Sequence, residues 1–171
     1  MSDGSASDSE SAVSPTRSLT RLVEEAVDGP LDDGVRVLGR TDMPGPADRL
    51  ADLVAGDEAI VGVVPRIPAS LAREVVDSVD GEIRLVLTGD AAATVSGVSG
   101  RAVRTALAGH DVSVSAHDGD SPVGVLLVGD RAVVGLFDGD GLAALLWTDA
   151  PAVRRWAADT YRRYAAAAAP L

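Results

Sequence analysis

The order of apolar and polar residues predicts alternating strands and helices over most of the chain. The string LTRLVEEAVD after Ser18 has helical spacing and ends at Gly29-Pro30, so it predicts a short amphipathic helix. VRVLGR from Val35 predicts a strand, and ADRLADLVAG from Ala47 predicts a helix that ends at Gly56. These two segments form the first β-α pair.

Two further strands have the composition of parallel strands in one sheet. AIVGVV (59–64) is a continuous apolar run, which is typical of a strand covered on both faces. ASLAREVVDSV, opened by Pro68, predicts the following helix, and EIRLVLT (82–88) predicts the next strand. Asp90 is a candidate cap for an Ala-rich segment that leads into a helix over about residues 101–108. DVSVSAH then predicts another strand.

The last third of the chain predicts antiparallel strands and a closing helix. VGVLLVGDRAVVGLF has an apolar run on each side of Gly129-Asp130, which is a hairpin signal. After a second turn at residues 138–141, LAALLW predicts a strand, and residues 150–168 predict a helix with one face for the sheet. The predicted fold is α/β with a mixed sheet, in which parallel βα units precede an antiparallel hairpin and a C-terminal helix.

Length and composition indicate one domain behind an acidic tail. Residues 1–16 are rich in Ser and Asp and bury little, so we expect a disordered tail and a single domain over residues 17–171. No apolar run approaches the roughly 20 residues of a membrane span, and the N-terminus lacks the regions of a signal peptide. We therefore expect a cytoplasmic protein without membrane contact.

The chain is strongly acidic and contains no lysine. Its 171 residues include 26 Asp and Glu against 15 basic residues, all of them Arg, which gives a formal net charge of −11. Such a charge is tolerated best where counterions are abundant, so we interpret it as adaptation to a salt-rich, halophilic cytoplasm. Genomic drift from Lys to Arg is the alternative, but drift does not explain why the acids are mostly Asp.

The missing Lys and Cys exclude several kinds of chemistry. Walker loops, kinases, Schiff-base enzymes and the His-x-Lys motif of phospholipase D catalysis require a lysine, and thiolate or cysteine-zinc chemistry requires a cysteine. His117 beside Asp118 is the best remaining candidate for general-base chemistry, but adjacent strand residues point to opposite faces. The Asp-Gly-Asp strings at 118–120 and 138–140 lack the distal Glu of a calcium loop and are interpreted as turns. We therefore expect no catalytic residue, metal or cofactor.

Loops after the predicted parallel strands form the candidate ligand site, because parallel sheets bind ligands where their strands end. The candidate residues are Pro65, Arg66, Thr88, Gly89, Asp90 and His117. One arginine and a helix N-terminus, which offers free N–H groups, favour a small anionic metabolite. In the alternative interpretation, Arg66 pairs with a carboxylate, and Thr88 and Asp90 cap the helix.

Arginines cluster on the closing helix at positions 154, 155, 162 and 163. Such a cluster raises the possibility of nucleic acid binding, but a domain with a net charge of −11 is repelled by a phosphate backbone. We therefore expect no direct contact with nucleic acid.

From about Asp57 to Tyr164 the chain resembles the sensor domains of haloarchaeal helix-turn-helix regulators, of the TrmB-like and methanogenesis-regulator-like type. The resemblance rests on AIVGVV with ASLAREVVDSV, on EIRLVLTGD and DVSVSA, on the hairpin SPVGVLLVGDRAVVGLFDGDG, and on LLWTDAPAVRRWAADTYRRYAAAAAPL. It implies a phospholipase D-like fold that has lost its catalytic motif. It also implies a domain that binds a metabolite or pairs with itself, attached to a DNA-binding winged helix.

No segment of this chain has the pattern of a basic winged helix. We therefore expect a non-enzymatic regulatory or sensor-like domain that acts as a homodimer, through a separate winged-helix regulator, or through a metabolite. Two alternatives remain open. One is a small hydrolase or phosphodiesterase that uses His117, and the other is a structural interaction domain whose partner covers an edge strand.

The acidic composition predicts that stability depends on salt. The melting temperature should fall as salt is lowered from molar concentration to dilute buffer, because fewer counterions then screen the repulsion between carboxylates. Circular dichroism melts across a salt series measure this. A melting temperature that stays flat across the series contradicts the interpretation of salt adaptation.

Overall fold

The computed structural model describes residues 14–31, 33–56, 58–66, 77, 80–96, 101, 105, 111–138 and 141–170. The first elements of the described residues are helices and strands in alternation, and the later ones are mostly strands. In chain order they are α1 (Pro15–Val27), β1 (Arg36–Gly39), α2 (Pro46–Val54), β2 (Ile60–Val64), β3 (Ile83–Leu87), α3 (Gly89–Ser96), β4 (Val112–Ala116), β5 (Gly124–Val128), β6 (Arg131–Asp138), β7 (Gly141–Thr148), α4 (Pro151–Ala166) and β8 (Ala169–Pro170).

The strands form one mixed sheet in the order β1-β7-β6-β5-β2-β3-β4-β8. β2, β3 and β4 are parallel neighbours, whereas every other neighbouring pair is antiparallel. This arrangement confirms the predicted mixed sheet, with parallel βα units followed by an antiparallel hairpin and a closing helix. The carboxyl ends of β2, β3 and β4 therefore meet at one end of the sheet, called here the carboxyl end.

The position of β1 differs from the expectation of a first parallel βα pair. β1 pairs antiparallel with β7, at the far side of the sheet from β3 and β4. The side of β2 that an additional parallel strand could use is already paired with β5. Four residues of apolar pattern indicate a strand but do not encode its partner, so the sequence could not place β1.

Helices cover both faces of the sheet. α1 and α4 lie on one face, where the core residues are Leu19, Val23, Val125, Val134, Leu146, Val153 and Ala157. α2 packs on the opposite face against strand residues that include Ile60, Ile83, Val133 and Leu145. On that same face, Ala91 and Val95 of α3 contact Leu87 of β3. None of the helices in the described part of the chain is long and apolar enough to cross a membrane.

Helix α1 begins three residues earlier than the periodicity predicts. The Ser14 hydroxyl accepts a hydrogen bond from the Arg17 N–H at 3.3 Å, and Pro15 occupies the first helical position, where no N–H is needed. The strand β8 was not expected; it pairs with Ser115 and Ala116 of β4. The helices predicted after Pro68 and over residues 101–108 lie outside the described residues, apart from isolated positions.

Two glycines have conformational or steric roles in the sheet. Gly129, in the turn between β5 and β6, has φ +56°, which confirms the predicted hairpin turn. Gly62, in the middle of β2, lies opposite Leu126 of β5. A Cβ atom at Gly62 would collide with the carbonyl oxygen of Val125 and with the Leu126 side chain. The absence of a side chain therefore allows β2 and β5 to approach.

The variant Gly62→Ala should be less stable than the parent by about 1–3 kcal/mol, because the added methyl group forces backbone movement in a packed sheet. Gly29→Ala is the matched control, since a Cβ there meets no atom within 4 Å. Urea unfolding curves measure both variants. Equal destabilisation of the two would refute the close-approach explanation.

Candidate functional site

All the predicted ligand-binding residues lie at the carboxyl end of the sheet. Pro65 and Arg66 follow β2, Thr88 follows β3, and His117 follows β4. The end of β6 lies at the same end of the sheet, because Gly124, the first residue of β5, pairs with Gly135 of the antiparallel β6. The antiparallel half of the sheet therefore contributes Asp138, the last residue of β6. The site is therefore built from both halves of the sheet.

Arg66 lies among oxygen atoms from two elements. Its Nε and Nη2 atoms lie 3.4 Å and 3.3 Å from Oδ2 of Asp90, which belongs to the first turn of α3. Its Nη1 donates to the main-chain carbonyl of Asp138 at the end of β6. The Asp90 carboxylate thus contacts an arginine, as the alternative interpretation of Arg66 anticipated, and the predicted capping role of Asp90 is not what the structure shows.

A second arginine extends this group of charges. Arg40 follows β1, and its Nη1 and Nη2 donate to the two carboxylate oxygens of Asp138 at 3.0 Å and 2.7 Å. Sequence reasoning missed Arg40 because its partner is 98 residues away, and only the β1-β7-β6 pairing brings the two together. Asp138 therefore joins Arg40, through its side chain, to Arg66, through its carbonyl.

The N-terminus of α3 is partly satisfied by the protein itself. The Ala91 N–H donates to the Pro65 carbonyl at 3.0 Å, and the Ala92 N–H donates to the Thr88 carbonyl at 3.3 Å. Gly89 has φ +49°, and a Cβ there would lie 2.5 Å from Oδ1 of Asp120. Carbonyl groups and a carboxylate thus already occupy space at the N-terminus of α3, where an anion was predicted to bind.

His117 orders the loop after β4. Its Nδ1 accepts a hydrogen bond from the Gly119 N–H at 2.8 Å, so in the neutral ring Nε2 carries the proton. Its ring contacts Tyr164 edge-on, with centroids 4.9 Å apart. The Tyr164 hydroxyl donates to the Asp120 carbonyl at 3.2 Å. Tyr164 lies in the helix predicted over residues 150–168, and its contacts at the site depend on the tertiary structure.

Thr88 is fully buried, and its hydroxyl has no hydrogen-bond partner among the described residues. Its side chain therefore does not cap α3. Strand alternation from Val86 places Thr88 on the face covered by α4, where His117 contacts Tyr164. Arg66 instead pairs with Asp90 of α3 on the opposite face. The predicted site residues thus share one end of the sheet but form two groups.

The described residues give little support to a catalytic centre. No carboxylate in this part of the chain pairs with His117, and no group of His, Asp and Glu there could hold a metal ion. The arrangement instead offers guanidinium groups, carboxylates, a hydroxyl and an imidazole N–H, which are groups that bind a polar ligand.

Several solved structures have a similar fold, and two of them are TrmBL2 and NucT. TrmBL2, described as an archaeal chromatin protein with a novel mode of DNA binding, superposes with a TM-score of 0.58 at 13% identity, over 91% of this chain and 61% of that chain. NucT from Helicobacter pylori superposes with a TM-score of 0.58 at 11% identity, over 80% of this chain and 98% of that chain. This chain therefore spans about three fifths of the length of TrmBL2. These identities establish the fold alone.

Residues 43–167 match the model of the middle domain of the methanogenesis regulatory protein FilR1. The chain therefore belongs to this family of middle domains of methanogenesis regulatory proteins. The resemblance to methanogenesis-regulator-like and TrmB-like proteins inferred from the sequence is confirmed. Among curated proteins, none is similar enough to count as a match.

The unpartnered hydroxyl of Thr88 predicts an unusual response to mutation. Thr88→Val should raise the free energy of unfolding by about 1 kcal/mol, because it removes a buried polar group that forms no hydrogen bond. Thr148→Val is the matched control and should be destabilising, since the buried Thr148 hydroxyl accepts from the Ala150 N–H at 3.1 Å. Thermal melts of both variants suffice, and a destabilised Thr88→Val would show that this hydroxyl has a partner in solution.

Proposed function

We propose that this domain senses a small polar metabolite, with an anionic group, at the carboxyl end of its sheet and thereby regulates a DNA-binding module. The observation that carries the proposal is the exposed pairing of Arg66 with Asp90, next to the Arg40–Asp138 pair. Membership of a family of regulatory domains supports a regulatory role.

The pairing of Arg66 with Asp90 can be opened at low cost. The Asp90 side chain is 75% exposed and the Arg66 side chain is 38% exposed. Exposed ion pairs contribute only about 0–1 kcal/mol, since water and salt screen them. A ligand phosphate or carboxylate could therefore replace Asp90 and form a two-point contact with the guanidinium group.

A route for the signal leads from the ligand site to α4. The loop after β4 contacts the last turns of α4 through the ring of His117 and the hydroxyl of Tyr164. The chain continues from α4 into β8, which pairs with β4 and thus returns to the same loop. The Gly89 N–H, next to Asp90, donates to the Gly119 carbonyl of this loop at 3.2 Å. A ligand that displaces Asp90 would therefore move the loop and shift the end of α4, where a partner module could respond.

The proposed role is non-enzymatic. His117 uses its Nδ1 atom to hold the Gly119 N–H, and the chain contains no lysine for the catalytic motif of phospholipase D. DNA binding is described for TrmBL2, and we assign it here to a winged-helix module rather than to this acidic domain. A cytoplasmic location fits this role, and the homodimer expected from the sequence stays a prediction.

The ligand proposal predicts opposite effects for the two members of the ion pair. Thermal shifts with a panel of small phosphates and carboxylates should identify a stabilising compound for the parent. Arg66→Ala should abolish its shift, whereas Asp90→Asn should enlarge it, because the competing carboxylate is gone.

Arg84→Ala is the matched control, since Arg84 of β3 is exposed and pairs with Glu82, which precedes the strand at the end away from this ion pair. It should leave the thermal shift unchanged. Equal responses of the parent and Arg66→Ala would show that the site is misassigned.

A further inference from the structure

The outer side of β1 carries main-chain groups that β7 does not pair. The Gly39 N–H donates to Oδ2 of Asp42 at 2.6 Å, so it points away from β7. In an antiparallel pair, every second residue points its N–H and C=O outward, which places the main-chain groups of Val37 on the same outer side. No backbone partner of Val37 is found on that side within the described residues.

A shallow open groove runs along this side of β1. Val37 and Asp42 line it from the strand and its following loop, and the polar stripe of α1 forms the other wall. The Asp42 carboxylate already stands where the carbonyl of an added strand would accept the Gly39 N–H. The groove therefore combines a helix with an edge strand whose outer side is not paired with another strand among the described residues, which is an arrangement used for adding a peptide strand to a sheet.

The charges along α1 differ between the two ends of the groove. Thr16 lies against Gly39, so the start of α1 is near the end of β1, and the two elements run in opposite directions. Arg17 and Arg21 consequently line the groove near the end of β1, and Glu25 and Asp28 line it near the start of β1. Since both signs are present, a polyanion such as a nucleic acid backbone does not fit this groove.

We propose that β1 and α1 form a docking site for an extended peptide of a partner protein, which adds a strand antiparallel to β1. The antiparallel direction gives the more stable pairing and places the N-terminal part of the peptide beside Arg17 and Arg21. That part is acidic, and the C-terminal part, beside Glu25 and Asp28, is basic. This surface is separate from the ligand site around Arg66.

Two nine-residue fluorescent peptides test the proposal with the full chain. DDVTVTVRR has the predicted charge order, and RRVTVTVDD has the reverse order. Fluorescence polarisation, at the lowest salt at which the chain stays folded, should show at least fivefold tighter binding of the first peptide. Equal affinities, or no binding of either peptide, would overturn the proposal.

Variants of the groove distinguish strand addition from general charge attraction. Val37→Pro should weaken binding at least tenfold, because it removes the outward N–H, while Pro is tolerated on the open side of an edge strand. The double variant Arg21→Glu/Glu25→Arg leaves one charge of each sign at both ends of the groove, so it should remove the preference between the peptides, even if Val37→Pro fails to fold. Arg131→Glu, an exposed change at the start of β6, is the control and should change nothing. A preference that survives the double variant contradicts the site.

Discussion

The antiparallel pairing of β2 with β5 determines how the rest of the molecule is arranged. It joins three parallel strands to an antiparallel group, so the ends of β2, β3 and β4 share one end of the sheet with the end of β6. The pairing needs a close approach at Gly62, where no side chain fits between the strands. Arg66 and Asp138 meet only because of this junction.

The elements that could be predicted from the sequence are those with a local signal, such as an apolar run or a turn dipeptide. β2 is a continuous apolar run, and the hairpin around Gly129 has a turn signal, so both could be recognised locally. The ion pair of Arg66 was among the alternatives, because an arginine after a strand faces carboxylates in an acidic chain. Arg40, Tyr164 and β8 were missed as site elements, since their partners are distant in sequence and each contact depends on the order of the sheet.

At the carboxyl end of the sheet, the charges of the arginines and the carboxylates balance each other more closely than the net charge of the whole chain suggests. In a chain with 15 arginines and 26 acidic residues the carboxylates outnumber the guanidinium groups, and here Asp90 and Asp138 contact Arg66 and Arg40. A sequence motif shows the arginine but not its partners, so it overstates the free positive charge. An anionic ligand must therefore compete with the protein's own carboxylates for the arginines. The exposure of each ion pair decides that competition, because a surface pair screened by water and salt is weak.

The loop after β1 connects the two surfaces proposed to bind partners. Arg40 holds Asp138 at the carboxyl end of the sheet, and two residues later Asp42 holds the outward N–H of Gly39. A peptide strand that displaces Asp42 would move this short loop and so disturb the contact between Arg40 and Asp138. The carbonyl of Asp138 also accepts a hydrogen bond from Arg66. Because such coupling is reciprocal in free energy, a ligand at Arg66 would change the affinity for the peptide by the same factor by which the peptide changes the affinity for the ligand. A single loop thus gives the proposed ligand site a direct physical route to the proposed peptide site.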